Sequence, residues 1–375
     1  MKLDKKNWKT VSLGEIAEHS KESIDPSDGQ INRYVAGEHM ETDRLEIRKW
    51  GEIGDGYLGP AFIRRFHSGQ VLYGSRRTYL RKLAVADFEG VCANTTLVLS
   101  TSNAEILRQD FLPFVMTSSR FHDYSIRESK GSVNPYVNWS DLAKFRFELP
   151  PPEQQESIAN LLWNIESHQR ILYKLIDSMD ALLESFLRTL RHKTYFEENL
   201  IDFEIVQLSN VADLNWGDMQ KTKSVYVPEG YLAYSASGPD GFMNTFDYDR
   251  KGIVLSAIGA ESGKTWFASN KWSCIKNTMR IFSLDESKLN TEYMFWITNS
   301  KDFWPKRGSA QPFISQEDAR KLKLVMPTLV FQLKTLQFIE NISKGRALMQ
   351  EELDVLYQVR SSILREVFEF REDHS

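Results

Sequence analysis

Three short segments of this 375-residue chain carry residue types that could bind a nucleotide or a methyl donor. The first runs from Gly259 through Gly263-Lys264-Thr265, follows an apolar stretch and is similar to a phosphate-binding loop. Such a loop needs four residues between its glycines and a helix after its Lys-Thr pair. One residue is missing here, and the aromatic residues 266–272 make a poor helix start. The segment therefore predicts a turn without a nucleotide.

The other two segments also lack the context that their chemistry needs. Residues 54–59, GDGYLG, have the glycine spacing of a dinucleotide fingerprint, but no buried strand precedes them, so we predict a surface loop. Asn134-Pro135-Tyr136 is similar to the Asn-Pro-Pro-aromatic motif with which adenine methyltransferases hold their target amino group. It lacks one proline and no glycine motif for a methyl donor accompanies it. We predict a structural turn before a strand at 145–149.

Metal and membrane chemistry are not predicted either. His39 and His67 lack the spacing of metal ligands, and two cysteines alone cannot form a disulfide framework or a four-ligand zinc site. They fit a reducing compartment. The first twenty residues contain no apolar signal region, and no apolar run reaches about eighteen residues. We therefore expect a cytoplasmic chain with no catalytic residue, metal or cofactor.

Basic charge is concentrated in two aromatic-rich stretches, although the net charge is -4. Residues 61–86 contain six cations and no carboxylate, and residues 250–280 contain six cations against the single acid Glu261. Local positive charge of this kind is what a nucleic-acid interface needs. A solvated charged face is the other interpretation.

The two halves of the sequence repeat each other. Residues 131–150, GSVNPYVNWSDLAKFRFELP, align with residues 308–327, GSAQPFISQEDARKLKLVMP, at an offset of 177. Residues 11–18 align with 206–213 at an offset of 195, and residues 92–96 align with 274–278 at an offset of 182. Lys264 aligns with Lys82. We infer a duplication of about 190 residues, each copy a mixed α/β segment followed by a long helix.

Apolar residues in steps of three and four predict the two long helices. In the first copy, after Pro150, they are Ile158, Leu162, Ile165, Leu172, Ile176, Met179, Leu183, Phe186 and Leu190; in the second they are Ile339, Ile342, Met349, Leu353, Leu356, Ile363 and Val367. Residues 153–192 predict one helix of about 40 residues. Each stripe is narrow, so we expect the two helices to pair antiparallel, with one domain at each end. Gln169 and Arg346 on the stripes either fix the register or are tolerated.

Leu149-Pro-Pro-Pro-Glu-Gln-Gln-Glu-Ser-Ile158, preceded by Gly131-Ser-Val-Asn-Pro135, resembles the conserved region of type I restriction-modification specificity subunits. Residues 69–83, GQVLYGSRRTYLRKL, are similar to a stretch of their target recognition domains. The resemblance covers nearly the whole chain, including the duplicated layout. In the second copy, residues 326–332, MPTLVFQ, keep the first proline and Gln332 but lose the Glu and the second proline. Whether the two helix starts make equivalent contacts is therefore left open.

The resemblance implies a mixed α/β (α+β) fold with two homologous target recognition domains, two antiparallel coiled-coil helices and a pseudo-twofold repeat. The corresponding boundaries are 1–150 for the first domain, 151–195 for the first spacer helix, 196–328 for the second domain and 329–375 for the second helix. It further implies a non-catalytic subunit that recognises a bipartite site in double-stranded DNA and docks two copies of a methyltransferase subunit, together with restriction and translocase subunits. S-adenosylmethionine, ATP and magnesium would bind to those other subunits.

The candidate DNA contacts lie in the two basic stretches, because a guanidinium can bridge guanine O6 and N7 or hold a phosphate. They are Arg76, Arg77, Tyr79 and Lys82 in the first copy, and Lys264, Lys276, Asn277 and Arg280 in the second. Asn277 is a candidate adenine reader, and about half of the eight are expected to touch DNA. Two other functions remain open: a stand-alone methyltransferase or nuclease with degenerate motifs, and a coiled-coil scaffold whose end domains bind protein.

Overall fold

The computed structural model describes residues 3–54, 56 and 58–369. Asp55 and Tyr57, within the glycine-rich segment 54–59, lie outside the described residues. The chain divides into two compact units: unit 1 comprises Met1–Lys174 and Met349–Ser375, and unit 2 comprises Leu175–Leu348. Each unit therefore contains one mixed α/β copy and a part of both long helices. In the described ranges, no helix is both long and apolar enough to cross a bilayer.

The first copy forms three antiparallel or mixed sheets and ends in a long helix. Its elements are β1 (Lys9–Ser12), α1 (Leu13–Ile16), β2 (Ala17–Ser20), β3 (Arg33–Val35), β4 (Gly51–Glu52), β5 (Phe62–Phe66), β6 (Val71–Gly74), β7 (Leu83–Val85), β8 (Gly90–Ala93), β9 (Thr96–Thr101), α2 (Leu112–Met116), α3 (Ser119–Arg127), α4 (Trp139–Leu142), β10 (Arg146–Leu149) and α5 (Pro152–Thr189). The inner sheet has the order β2-β9-β6-β7, the outer sheet has the order β4-β3-β8-β5, and β1 pairs with β10.

The second copy continues with α6 and repeats the strand order. Its elements are α6 (Lys193–Glu198), β11 (Phe203–Gln207), α7 (Leu208–Val211), β12 (Ala212–Trp216), β13 (Tyr231–Ser235), β14 (Gly238–Met243), β15 (Tyr248–Asp249), β16 (Gly252–Ser256), β17 (Thr265–Ala268), β18 (Lys271–Cys274), β19 (Thr278–Ser283), α8 (Thr291–Thr298), α9 (Gln316–Lys321), β20 (Lys323–Pro327) and α10 (Leu329–Phe368). Its sheets have the orders β12-β19-β16-β17, β14-β13-β18-β15 and β11-β20. The outer sheet of each copy contains one parallel pair, β3 with β8 and β13 with β18. The duplicated mixed α/β fold is thus confirmed.

The inner sheet of each copy is covered on both faces, which explains its uninterrupted apolar strands. In β6, Val71 and Tyr73 pack against the helices while Leu72 faces the outer sheet. Ile253 and Val254 of β16 show the same alternation. Each fully buried side chain of this size stabilises the fold by about 1.5–3 kcal/mol. The inner sheet is therefore a rigid base for the loops at its ends.

The long helices pair antiparallel within each unit. In unit 1, Glu166 of α5 contacts Arg360 of α10 at 2.5 Å. Further along α5, the Tyr173 hydroxyl lies 2.6 Å from that of Tyr357, which is earlier in α10. The stripe residues Ile158, Leu162, Ile165, Leu172 and Ile176 are buried, as predicted, in their respective units.

The two polar residues on the stripes differ in their placement. Gln169 is buried, and its Nε2 atom has no hydrogen bond partner among the residues that the structure describes. The prediction that Arg346 lies on the apolar stripe is wrong. Its side chain is half exposed and pairs with Asp180 of unit 2 at 2.9 Å. Besides Gln169, the unit 1 helix pair buries Arg360, which occupies the gap in the apolar stripe between Leu356 and Ile363.

Candidate nucleic-acid interface

The basic loop, residues 75–82, connects β6 to β7 and has an unusual backbone. Arg77 and Arg81 adopt left-handed conformations, with φ of 52° and 51°, on either side of a 3-10 turn at Thr78–Leu80. A non-glycine residue in this region costs on the order of 1 kcal/mol, so surrounding contacts must hold it. Such strain often accompanies binding sites, where it presents side chains in a fixed direction.

Contacts from three other segments hold the basic loop. The Arg77 amide donates to the Pro135 carbonyl at 2.6 Å, and Arg77 Nε donates to Asn134 Oδ1 at 2.9 Å. Arg81 forms an ion pair with Asp43 at 2.7 Å. Lys82 Nζ donates to the carbonyl of Gly37. The loop is therefore organised before any ligand arrives.

The four candidates of the first copy thus differ in availability. Arg76 is exposed, and its side chain has no hydrogen bond or ion pair to any residue that the structure describes. Tyr79 is 51% exposed. Arg77 is exposed but engaged with Asn134, and Lys82 is half-buried against Gly37. Arg76 and Tyr79 are therefore the side chains best placed to contact a ligand.

The segment around Asn134-Pro135-Tyr136 is the structural turn that its sequence predicts. It docks on the end of β6, where the Val137 amide donates to the Ser75 carbonyl at 2.9 Å. The second copy repeats both backbone bonds: the Gly259 amide donates to Pro312, and the Ile314 amide donates to Ala257. Each turn is closed by one ion pair, Lys130–Asp141 at 2.8 Å or Arg307–Asp318 at 2.6 Å. The hydrogen bond from Lys130 holds the pKa of Asp141 below its usual value.

A cleft of about 340 Å³ opens in the first copy between the basic loop, this turn and the loop before β9. Its lining residues are His19, Ser75, Arg76, Asn94, Thr95, Leu97, Tyr136, Val137, Asn138 and Trp139. Burial is the largest influence on the His19 pKa and lowers it, while a hydrogen bond to the Val98 carbonyl opposes this. The cleft therefore presents a neutral imidazole, a cation, amides and aromatic edges together. We call it the first cleft.

The second copy has the same framework with other side chains. The Ser75 amide donates to the Thr95 carbonyl in the first copy, and the Ala257 amide donates to the Asn277 carbonyl in the second. Lys276-Asn277 thus occupies the place of Asn94-Thr95, while Ile258 stands where Arg76 stands. Lys276 is exposed, and Asn277 adopts a left-handed φ of 69°. In the second copy the cation is therefore Lys276, from the loop before β19, whereas in the first copy it is Arg76, from the loop after β6.

The structure separates the remaining two candidates. Lys264 is exposed at the same end of the inner sheet, 3.6 Å from Glu261. The Ser256 amide donates to its carbonyl just as the Gly74 amide donates to that of Lys82, which confirms the alignment of these lysines. Arg280 lies within β19, 17% exposed, and pairs with Asp213 at 2.6 Å. The charge of Arg280 is therefore neutralised within the sheet, and the side chain does not join the exposed candidates.

The phosphate-loop-like segment is a turn between two strands. Gly259 begins the turn after β16, and Lys264 leads directly into β17 rather than into a helix. The helix N-terminus that would hold a phosphate in a nucleotide site is therefore replaced by a strand. In the ranges described, no group of three or more His, Cys, Asp or Glu side chains is arranged to hold a metal ion.

Sequence reasoning missed the role of the glutamine at each helix start. Gln155 is fully buried. Its side-chain Nε2 donates to the carbonyls of Ile106 and Pro150, both at 2.8 Å, and its Oε1 accepts from the backbone amide of Arg108 at 2.9 Å. Gln332 makes the equivalent three bonds in the second copy, to Lys288, Pro327 and Asn290. The sequence did carry a signal for this role, because Gln332 is kept in a second motif that has lost the Glu and the second proline. The helix starts do make equivalent contacts.

A second surface is repeated on the long helices, and we call it the apolar face. In unit 1 it consists of the exposed side chains Leu161, Ile171, Val355 and Val359. His168 and Glu352 form an ion pair across the two helices at 3.1 Å. Residues three or seven positions away on a helix share its face, so all four apolar side chains lie beside this pair. At an offset of 177, the unit 2 apolar face comprises exposed Phe338, Leu348 and Leu182.

Comparison with known proteins identifies relatives of both copies. A curated relative, the type I restriction enzyme EcoDI specificity subunit of Escherichia coli, is 21% identical over 189 residues, which are 50% of this chain and 41% of that protein. The match thus spans less than half the length of the relative.

Two solved structures share the fold over nearly the whole chain. The S subunit of a type I restriction-modification system from M. genitalium has a TM-score of 0.60 and 14% identity, covering 97% of this chain and 96% of that one. A chain from a study of complex assembly and conformational transition in the type I system has a TM-score of 0.61 and 17% identity, covering 96% and 97%. The type I restriction modification DNA specificity domain matches residues 5–177 and again 201–358. Because both copies match across most of the sequence, the chain belongs to the type I restriction-modification DNA specificity family.

Proposed function

We propose that this chain is the non-catalytic subunit that gives a type I restriction-modification complex its DNA sequence specificity. The observation that supports this best is the backbone framework that both copies share at one end of the inner sheet, with different side chains in each copy. Arg76 and Asn94 in the first copy correspond to Ile258 and Lys276 in the second. Two recognition domains that share a backbone framework but differ in their polar side chains suit a bipartite site whose halves differ in sequence.

The side chains at this end of each inner sheet fit base recognition from the major groove. An arginine there can donate twice to guanine O6 and N7, and an asparagine can pair with adenine N6 and N7. Nearby cations on a preorganised loop fix the register by contacting phosphates. We infer that Arg76 and Tyr79, and Lys276 and Asn277, carry these contacts, with Lys264 beside them. Arg77 and Lys82 act mainly by shaping the loop.

Selection from a random duplex library, using the assembled complex, gives both half-sites and tests the assignment. Arg76→Ala is expected to weaken binding about 5- to 100-fold, the loss of one bidentate base contact, and to relax one half-site. Lys276→Ala is expected to affect the other half-site alone. Arg346→Ala, which removes an exposed arginine from α10, serves as the control and leaves both half-sites unchanged. Unchanged affinity for the triple variant of Arg76, Arg77 and Lys82 would disprove the assignment.

We further infer that two copies of a methyltransferase subunit dock on the apolar faces, with restriction and translocase subunits joining that assembly. Exposed apolar patches on a stable protein mark interaction sites, and a patch repeated by internal symmetry suits one partner bound twice. S-adenosylmethionine, ATP and magnesium would then belong to the partners, and the chain would act in the cytoplasm. Titration of the purified chain with S-adenosylmethionine should show no binding. Saturable binding would favour a stand-alone methyltransferase, and a lack of salt-dependent DNA binding would favour a scaffold.

A further inference from the structure

We propose that Asp43 is a positioning residue for the basic loop, and that buried polar groups behind it couple the loop to the long-helix pair of unit 1. The consequence is that DNA affinity in the first copy depends on how the unit 1 helices pack. This rests on the proposed function only where it invokes DNA. Asp43 pairs with the exposed Arg81 at the loop, and the buried polar groups behind it are His122, Glu166 and Arg360.

Asp43 fixes the basic loop from a second segment with a left-handed backbone. Its own φ is 56°, and its carboxylate lies 2.7 Å from the Arg81 guanidinium. The Asp43 amide donates to the Arg81 carbonyl at 3.3 Å, and the Thr42 hydroxyl donates to the Leu80 carbonyl at 2.9 Å. The end of the loop is thus held by one charge and two hydrogen bonds. Removing the charge leaves the left-handed Arg81 without the ion pair that holds its side chain.

His122 lies behind Asp43 on α3, which packs against the 3-10 turn of the basic loop. The side chain is 3% exposed, and neither ring nitrogen has a hydrogen bond within the described ranges. Its Nε2 lies 3.9 Å from Asp43 Oδ1. Burial, together with the charges of Arg81 and Arg360, lowers the His122 pKa to about 3. The ring is therefore a neutral group packed directly behind Asp43 and the basic loop.

The buried charged groups of the helix pair are Glu166 of α5 and Arg360 of α10, which form an ion pair. Their atoms lie 2.5 Å apart, and the side chains are 11% and 7% exposed. Burial raises the pKa of Glu166, while the Arg360 charge opposes that shift. Arg360 Nη2 has no partner among the described residues. A buried pair tolerates little displacement, because separating it leaves unsolvated charge. Arg44, the neighbour of Asp43, lies over the Tyr173 ring of α5 with its guanidinium carbon 3.4 Å from the ring centroid, and the Tyr173 hydroxyl contacts that of Tyr357 in α10. Movement between the two helices would therefore be transmitted through Arg44 to Asp43.

The second copy lacks this connection. At an offset of 177, Ser343 corresponds to Glu166, and Leu183 corresponds to Arg360. The exposed Asp180–Arg346 pair of unit 2 is formed by the same two helices without burial. The coupling should accordingly be confined to the first copy. This asymmetry also supplies a matched control.

Hydrogen–deuterium exchange of the full chain tests the positioning role of Asp43 without DNA. The Leu80 amide donates to Arg77 and the Arg81 amide donates to Thr78, so their exchange reports the turn directly. Asp43→Asn keeps the side-chain shape and should speed exchange in peptides covering 76–82 at least 10-fold, with DNA affinity falling 3- to 10-fold. Asp213→Asn, which unpairs Arg280 in the second copy, should leave those peptides unchanged. Arg81→Met breaks the same ion pair and replaces Asp43→Asn should that variant fail to fold.

The coupling is tested by the double variant Glu166→Met/Arg360→Met, which keeps the helix pair apolar. It should speed exchange of peptides covering 76–82 at least 3-fold, whereas Asp180→Met/Arg346→Met should not. Unchanged exchange in Asp43→Asn overturns the positioning role, and unchanged exchange in the first double variant overturns the coupling. Faster exchange with unchanged DNA affinity rejects the DNA part of the inference. Loss of binding in Arg76→Ala would then leave the assignment of the loop standing, whereas unchanged binding in Arg76→Ala would reject that assignment as well.

Discussion

Replacing Gln155 with alanine is expected to lower the free energy of unfolding by about 3 kcal/mol, and Gln332→Ala should do the same in the second copy. Each side chain is fully buried and makes three hydrogen bonds to backbone groups. Truncation leaves two carbonyls and one amide without partners, and each such group costs about 1–3 kcal/mol before water enters. Chemical denaturation monitored by circular dichroism measures the loss.

The matched controls for these variants are Asn160→Ala and Gln337→Ala. These amides are exposed, lie on the same two helices and are themselves related by the offset of 177. Surface substitutions of this kind change stability by at most about 0.5 kcal/mol. A loss for Gln155→Ala no greater than that for Asn160→Ala would contradict the role assigned to the buried glutamine. A loss in one copy only would show that the two helix starts are not equivalent.

The sequence predicted those elements that local periodicity specifies. A stripe with steps of three and four is enough to define α5 and α10, and an internal alignment is enough to define a duplicated fold. Strand pairing is different, because its partners are distant in sequence. The parallel pair of β3 with β8 joins Tyr34 to Val91, and no local pattern records such a pairing. The order of the sheets therefore required the structure.

The candidate DNA contacts show the same division. The alignment correctly placed Lys82 and Lys264 at equivalent strand starts. The composition of the basic stretches could not show that Arg280 is neutralised by Asp213, because that pair joins strands 67 residues apart. Nor could it show left-handed backbones at Arg77 and Arg81, since arginine rarely adopts them. Tertiary contacts impose this conformation, and one of them comes from Asp43, which lies outside both basic stretches.

A carboxylate placed on one apolar face is expected to remove one of two bound methyltransferase copies. Ile171→Asp changes the unit 1 face and Leu348→Asp changes the equivalent position of unit 2. Burying an unpaired carboxylate in an interface costs several kcal/mol, so affinity at the altered face should fall at least about 100-fold. Each single variant should therefore bind one methyltransferase subunit, and the double variant should bind none. Sedimentation velocity of the chain mixed with its methyltransferase subunit measures this stoichiometry directly.

The design separates docking from folding and from helix pairing. Ile171 and Leu348 are more than half exposed, so aspartate at either position adds no buried charge to the free chain. Ala181→Asp places the same charge on an exposed position of α5 that lies outside the apolar face, and it should leave two copies bound. Two copies on Ile171→Asp would show that the face in unit 1 is not the docking site. No bound copy on a single variant would show that the two faces do not act as independent, equivalent sites. One copy on each single variant and none on the double variant is the pattern that follows from a repeated site, because each unit presents its own copy of the same surface.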